Sequence, residues 1–254
     1  MAKNDIGHPS NGRKSDKTKR KGAKRDTLHV ALLIDESGSM APMHGSVIAG
    51  VNEFINDLKA DPSETTRVLA SLAMFDLKGG EPPVRVRFSD LPLEEVRPVG
   101  PSEYTPRGMT PLNDAVARTI TALESAKGTA DRVMIVILTD GLENASETSA
   151  DDLRKLIVAK EGDGWEFVYL GANQDTWAAT QGIGLAKRGK HFGWEASAAG
   201  VGAALKVSGE RVRRFRDAPD EYRGEAESLS DRIAPGETKA RPLTDAERRN
   251  ARRS

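Results

Sequence analysis

Two apolar runs constrain this chain more than any other feature, and each stops at an aspartate. The first, Leu28–Ile34, reads Leu-His-Val-Ala-Leu-Leu-Ile and is followed by Asp35. The second, Val133–Leu138, reads Val-Met-Ile-Val-Ile-Leu and is followed by Thr139-Asp140-Gly141. Neither alternates apolar with polar residues, as a strand with one wet face would. Near-continuous runs of this kind read as strands buried on both faces, the habit of parallel sheets covered by helices on each side. In such sheets ligands bind beyond the carboxyl ends of the strands, where the strand order reverses.

The remaining elements follow from periodicity. Val47, Val51, Phe54, Ile55 and Leu58 recur at helical spacing and predict a helix over 44–60, ended by Asp61-Pro62-Ser63. Strands are predicted over 66–75 and 84–88, and the short link Lys78–Pro83 between them predicts an antiparallel hairpin. Pro111 to Leu123 reads as a helix with proline in its first turn. Ser149–Lys160 reads as another, with Ser149 as N-cap and Asp151 and Asp152 in the first turn. A fifth strand is predicted over 165–170, a short helix over 173–180 and a closing helix over 194–207. This alternation predicts a three-layer, doubly wound, mostly parallel α/β sheet with one antiparallel edge hairpin strand.

The chemistry sits where the first strand ends. Asp35, Ser37 and Ser39 alternate in Asp35-Glu36-Ser37-Gly38-Ser39-Met40, and all three carry oxygen. Oxygen donors without His or Cys suit a hard cation such as Mg²⁺ or Mn²⁺. Gly38 lets the backbone turn so that both hydroxyls face one point. With Thr110, in Gly108-Met109-Thr110-Pro111, and Asp140, these residues resemble the von Willebrand factor A (vWA) domain family. Its metal-ion-dependent adhesion site has the pattern Asp-x-Ser-x-Ser, a distant Thr and a distant Asp. Asp35, Ser37, Ser39, Thr110 and Asp140 match it in order. The resemblance spans 27–180, and Trp165–Asp175 is similar to a segment in small bacterial and phage proteins of this kind.

The resemblance implies a Rossmann-like fold and direct ligation of Mg²⁺ or Mn²⁺ by Ser37 and Ser39. It implies Thr110 direct or through water, and Asp35 and Asp140 mostly through water. It further implies a partner protein whose Asp or Glu completes the metal, so the domain would be an interaction module and not an enzyme. Glu36, Met40, His44, Glu143 and Asn144 read either as ordinary loop polarity or as a rim facing that partner. Asp114, four residues after Thr110, reads as a surface or helix-entry residue, or else as a support behind the metal ligands.

Composition sets the frame. The chain has 254 residues and no cysteine, which removes disulfides and thiolate metal sites and fits a reducing compartment. No leader is apparent before Leu28 and no apolar stretch nears the roughly 20 residues that span a bilayer, so a cytoplasmic location is expected. Residues 1–26 carry 9 basic and 3 acidic side chains and read as a disordered basic tail. Residues 27–209 read as the vWA domain, with 17 basic against 25 acidic side chains up to that point. Residues 210–254 read as a charged, largely disordered tail, although Arg211, Arg213, Arg214 and Arg216 could extend the closing helix.

Two other functions stay open at this stage. One is a Mg²⁺-dependent enzyme on phosphate esters. Against it, Ser37 stands where a haloacid-type phosphatase needs its second Asp, there is no Gly-x-Ser-x-Gly elbow, and of the four His, His8 lies in the tail, His29 enters the first strand, and His44 and His191 lack obvious partners. The other is nucleic-acid association through the basic tail, which lacks aromatics for base stacking. Gly184 to Lys190 imitates a phosphate-binding loop, but His191 replaces its Ser or Thr, and it reads as a basic surface loop.

Overall fold

The computed structural model describes residues 26–128, 131–141, 143–172, 183 and 191–226, with backbone alone at 191 and 223–226. Six strands form one sheet in the order β3-β2-β1-β4-β5-β6. They are β1 (Asp26–Asp35), β2 (Thr66–Phe75), β3 (Val84–Pro92), β4 (Arg132–Thr139), β5 (Glu166–Ala172) and β6 (His191–Trp194). All neighbours run parallel except β2 and β3, whose antiparallel pairing is the predicted edge hairpin.

The helices are α1 (His44–Ala60), α2 (Leu112–Ala126), α3 (Ala150–Gly162), α4 (Ala198–Asp217) and α5 (Pro219–Ala226). The two faces of each central strand bury different partners. Val30, Leu32, Ile34, Met134, Val136 and Leu138 pack with α1 and α4. Ala31, Leu33, Val133, Ile135 and Ile137 pack with α2 and α3. That double burial explains the unbroken apolar runs and completes the three layers. The chain winds outward from β1 to β2 and β3, then returns to β4 on the other side of β1. The reversal places the carboxyl ends of β1 and β4 side by side at the switch point.

Three differences from the sequence reading concern the C-terminal half. Trp194 ends a parallel edge strand and does not start a helix; β6 is four residues long and contains Gly193, too short to carry a periodic signal. The closing helix starts at Ala198, where Ser197 Oγ accepts the Gly200 N–H at 3.2 Å. The packed unit also does not stop at Gly209. Helix α4 runs to Asp217 and α5 follows, with Val212, Phe215 and Tyr222 buried and the Phe215 and Tyr222 rings 5.4 Å apart. The arginines that mask this pattern bury their stems. Arg211 lies over the Phe192 ring at 4.0 Å, and Arg216 Nη2 reaches Asp61 Oδ2 at 2.9 Å. Residues 173–180, the 184–190 loop, the leading 25 residues and the tail beyond 226 lie outside the described residues.

His29 shows the same structural use of a polar residue. It is buried in β1, with Nδ1 2.7 Å from Asp90 Oδ1 and Nε2 3.2 Å from Asp131 Oδ2, at the end of the strand remote from Asp35.

A chain ended at Gly209 is expected to unfold far more easily than one ended at Ala226. It loses the buried side chains of Val212, Phe215 and Tyr222, each contributing about 1.5–3 kcal/mol. Against a total of roughly 5–15 kcal/mol that loss is large. Urea unfolding of the two chains checks it, and equal midpoints would contradict the packing role of α4 and α5.

Candidate metal centre

Asp35 is the last residue of β1 and is fully buried. Its Oδ1 accepts the Ser37 N–H at 2.7 Å, which turns the chain immediately after the strand. Its Oδ2 accepts the Thr139 hydroxyl at 2.5 Å from the end of β4. The Tyr104 hydroxyl donates to the Asp35 carbonyl at 2.7 Å. Ser37 and Ser39 bring their hydroxyl oxygens to 3.1 Å, and the Ser39 hydroxyl donates to Asp140 Oδ1 at 2.7 Å. Asp35, Ser37, Ser39 and Asp140 are thus joined in one polar cluster across the β1 and β4 ends. Ser39 is exposed and Asp140 partly so, and the cluster therefore opens to solvent on their side.

Thr110 comes from the loop before α2 and is buried. Two backbone hydrogen bonds of 3.0 Å between Met109 and Leu77 hold that loop to the end of β2. Gly108 makes the approach possible: its φ is +71°, and a Cβ there would lie 2.5 Å from the Leu77 carbonyl oxygen. Gly141 supplies a second close approach. A Cβ at Gly141 would stand 3.2 Å from Thr110 Oγ1 and 3.8 Å from Asp35 Oδ2, so the Thr110 hydroxyl faces the same cluster.

The donor set fits a hard cation held mainly by hydroxyl oxygens. Ser37, Ser39 and Asp140 are in hydrogen-bond contact beside Asp35, and the Thr110 hydroxyl stands next to Gly141, the residue after Asp140. Among the described residues no group of three or more His, Cys, Asp or Glu side chains is placed to hold a metal. A cation at this point would therefore depend on the hydroxyls of Ser37, Ser39 and Thr110.

Burial removes Glu36 and Met40 from the rim, while His44, Glu143 and Asn144 keep partial or full exposure with their polar groups engaged. The Glu36 carboxylate is fully buried; both its oxygens lie 2.6 Å from Arg85 Nη2, and it accepts the Thr105 N–H. Met40 is buried in the core on the α1 side. His44 Nε2 sits 2.8 Å from the Tyr104 carbonyl and 3.1 Å from that of Pro101. Glu143 turns inward and binds backbone N–H groups of its own segment and of Asn113. Asn144 is exposed, yet its Oδ1 accepts the Thr110 N–H at 2.8 Å. Asp114 is tied down as well, accepting the Thr148 N–H at 2.8 Å, which holds its carboxyl below the usual range. Sequence reasoning missed Thr139 and Tyr104. Thr139 stood in plain view beside Asp140, whereas nothing in the Tyr104 segment signals a contact with Asp35.

Burial pushes the Asp35 carboxyl up to about 6, against the downward pull of the Thr139 and Ser37 hydrogen bonds. Burial raises Asp140 too. A carboxyl held above its unfolded value favours the protonated fold. Its cost is absent below an unfolded value of about 4 and complete above about 6. In EDTA, wild type is expected to lose on the order of 2–3 kcal/mol relative to Asp35→Asn between pH 4 and 7. Urea unfolding of both chains across that range checks it, and parallel pH profiles would contradict it.

No family model and no curated protein matches this sequence. Solved structures do. Proximal thread matrix protein 1 from the mussel byssus, described with a zinc-occupied MIDAS motif, is similar with TM-score 0.53 at 15% identity, over 72% of this chain and 47% of that one. The vWF domain of the type V pili tip protein Mfa5 from Porphyromonas gingivalis gives 0.53 at 13% identity, over 77% and 98%. The SpRpn10 VWA domain gives 0.51 at 15%, over 71% and 94%. The chain thus spans less than half of the mussel protein and nearly all of the two isolated domains. With its mostly parallel six-stranded sheet between two helix layers, this chain has the fold of a von Willebrand factor A domain.

Proposed function

We propose that this domain is a metal-dependent protein-interaction module. It holds one Mg²⁺ or Mn²⁺ through Ser37, Ser39 and Thr110, with Asp35 and Asp140 acting through water, and takes an Asp or Glu carboxylate from a partner protein. The observation that carries this reading is the Ser37–Ser39–Asp140 cluster at 3.1 and 2.7 Å, open to solvent beside the buried Asp35. A bound ion supplies an electrophilic position, and the mainly neutral hydroxyl shell leaves its charge under-compensated, which favours an anionic oxygen.

The chain's own residues prepare that position. Thr139 and Ser37 orient Asp35, and Ser39 directs its hydroxyl hydrogen to Asp140, which turns its oxygen toward the cluster as an acceptor. Binding is favoured over catalysis because the neighbouring acid, Glu36, is engaged by Arg85 and Thr105 and is not free to act as a base. The mussel and pilus neighbours are by name a thread matrix protein and a pili tip protein, both parts of larger protein assemblies, which supports the same class. We place the module inside the cell, as an adaptor or assembly factor, on the strength of its cysteine-free composition.

Calorimetric titration with Mg²⁺, Mn²⁺ and Zn²⁺ tests the metal, and affinity capture from native lysate in Mg²⁺ or EDTA tests the partner. Asp35→Ala and Asp140→Ala are expected to weaken metal binding by about 10–100-fold while keeping the far-ultraviolet dichroism of the fold. Thr110→Ala is expected to reduce Mg²⁺-dependent capture more than metal affinity. Capture that survives EDTA and Asp140→Ala alike would remove this function.

A further inference from the structure

We propose that Glu143 and Asn144 are positioning residues for the metal centre. They form a polar clip that locks Thr110 to the segment following Asp140. This rests on the metal-site reading above and assigns these two residues a different task from rim contact.

The clip begins with a reciprocal pair. Asn144 Oδ1 accepts the Thr110 N–H at 2.8 Å, and the Asn144 N–H donates to the Thr110 carbonyl at 3.2 Å. Thr110 is thereby held on both sides of its own peptide by one residue, 34 positions later. Glu143 anchors that residue's segment. Its Oε1 accepts the N–H groups of Ala145 and Ser146 at 2.8 and 2.6 Å, and its Oε2 accepts the Ser146 hydroxyl and the Asn113 N–H, both at 2.7 Å. A carboxylate with four donors, two per oxygen, is close to its full accepting capacity.

The clip also solves a problem that α2 cannot solve alone. The first N–H groups of a helix have no partner within it. The N-cap of α2 is Pro111, which has no side chain able to accept a hydrogen bond. The missing acceptors come from the clip: Glu143 takes the Asn113 N–H, and Ser146 Oγ takes the Asp114 N–H at 3.0 Å. The capped turn answers in kind, with the Asp114 carboxylate accepting the Thr148 N–H at 2.8 Å and Asn113 Nδ2 donating to the Thr148 carbonyl at 3.0 Å.

The consequence reaches the centre. The Leu77–Met109 bridge holds the Thr110 loop from the β2 side, and the clip holds it from the β4 side. Thr110 cannot shift without breaking the clip or dragging residues 143–148 with it. Its hydroxyl is therefore set facing the Asp35 and Gly141 position before any ion arrives.

Two readouts test this on the full chain. The first is hydrogen exchange at the Thr110 amide without metal. Asn144→Leu is expected to speed it at least tenfold, while Asn144→Asp, which keeps the acceptor, leaves it near wild type. The second is Mn²⁺ affinity by titration. Asn144→Leu is expected to weaken it about tenfold, Asn144→Asp to retain it, and Asn144→Leu to add nothing in a Thr110→Ala background. Glu143→Gln, which turns one acceptor into a donor facing donors, is expected to move both readouts in the direction of Asn144→Leu. Unchanged Thr110 exchange in Asn144→Leu would overturn the clip. So would a lower melting temperature with Mn²⁺ affinity intact, since that is what simple helix capping predicts. Failure of wild type to bind Mn²⁺ or Mg²⁺, with the exchange result as expected, would overturn the metal reading and the positioning role while leaving the clip as a cap of α2.

Discussion

Burying the carboxylate of Asp35 is the constraint on which this site depends. A carboxylate without water is expensive unless donors surround it. Each donor that Asp35 finds fixes a different part of the chain. Thr139 reaches it only because β4 lies directly beside β1 in parallel register, with Ile34 opposite Leu138. The Ser37 N–H reaches it only if the chain turns back at once. Tyr104, buried and donating to the Asp35 carbonyl, pins the long segment between β3 and α2 across the end of β1. The switch point and the turn answer one electrostatic demand, and the crossing segment satisfies the backbone carbonyl of the same residue.

The antiparallel edge strand serves the same end. Charged side chains on an edge strand commonly block unwanted pairing. On β3 they also reach inward. Arg85 holds the buried Glu36, and Arg87 pairs with Glu103. Arg107 then pairs with Asp76 at 3.1 Å at the end of β2, and its N–H donates to the Glu36 carbonyl at 2.6 Å. The loop that carries Thr110 is thus fastened by ion pairs on the β3 side and by the Asn144 and Glu143 clip on the β4 side. Thr110 can be placed well by a loop because neither end of that loop is free.

Signals that are local in the sequence were legible. Helix α1 and strand β2 have the predicted bounds, 44–60 and 66–75, because strong periodicity and the Asp61-Pro62-Ser63 break leave little choice. The five oxygen donors were legible as residue types at ordered positions. What the sequence hides is the distant partner that decides a polar residue's task. Glu36 reads as a rim residue until Arg85, 49 positions away, is found to take its carboxylate. Arg211 and Arg216 read as a charged tail until Phe192 and Asp61 are found beneath them. Strand β6 was hidden for a different reason: four residues with one glycine carry no period, and only pairing with β5 makes them a strand.

The hydrogen-bond directions also bear on why the centre would select an anionic partner. A hydroxyl has one proton and two lone pairs. The Ser39 hydroxyl donates to Asp140 at 2.7 Å and lies 3.1 Å from the Ser37 hydroxyl oxygen. The charge of Asp140 therefore reaches the serine pair through the Ser39 hydroxyl instead of being presented directly. Asp35 is likewise occupied by Thr139 and the Ser37 N–H. Asp140 thus polarises the Ser39 hydroxyl, and Asp35 is held back from the serine pair by its own donors. A divalent ion there would meet electron-rich but neutral oxygens and keep much of its charge. A ligand that brings a full negative charge would gain most from joining it, and an Asp or Glu side chain does so in a form that a protein partner can present.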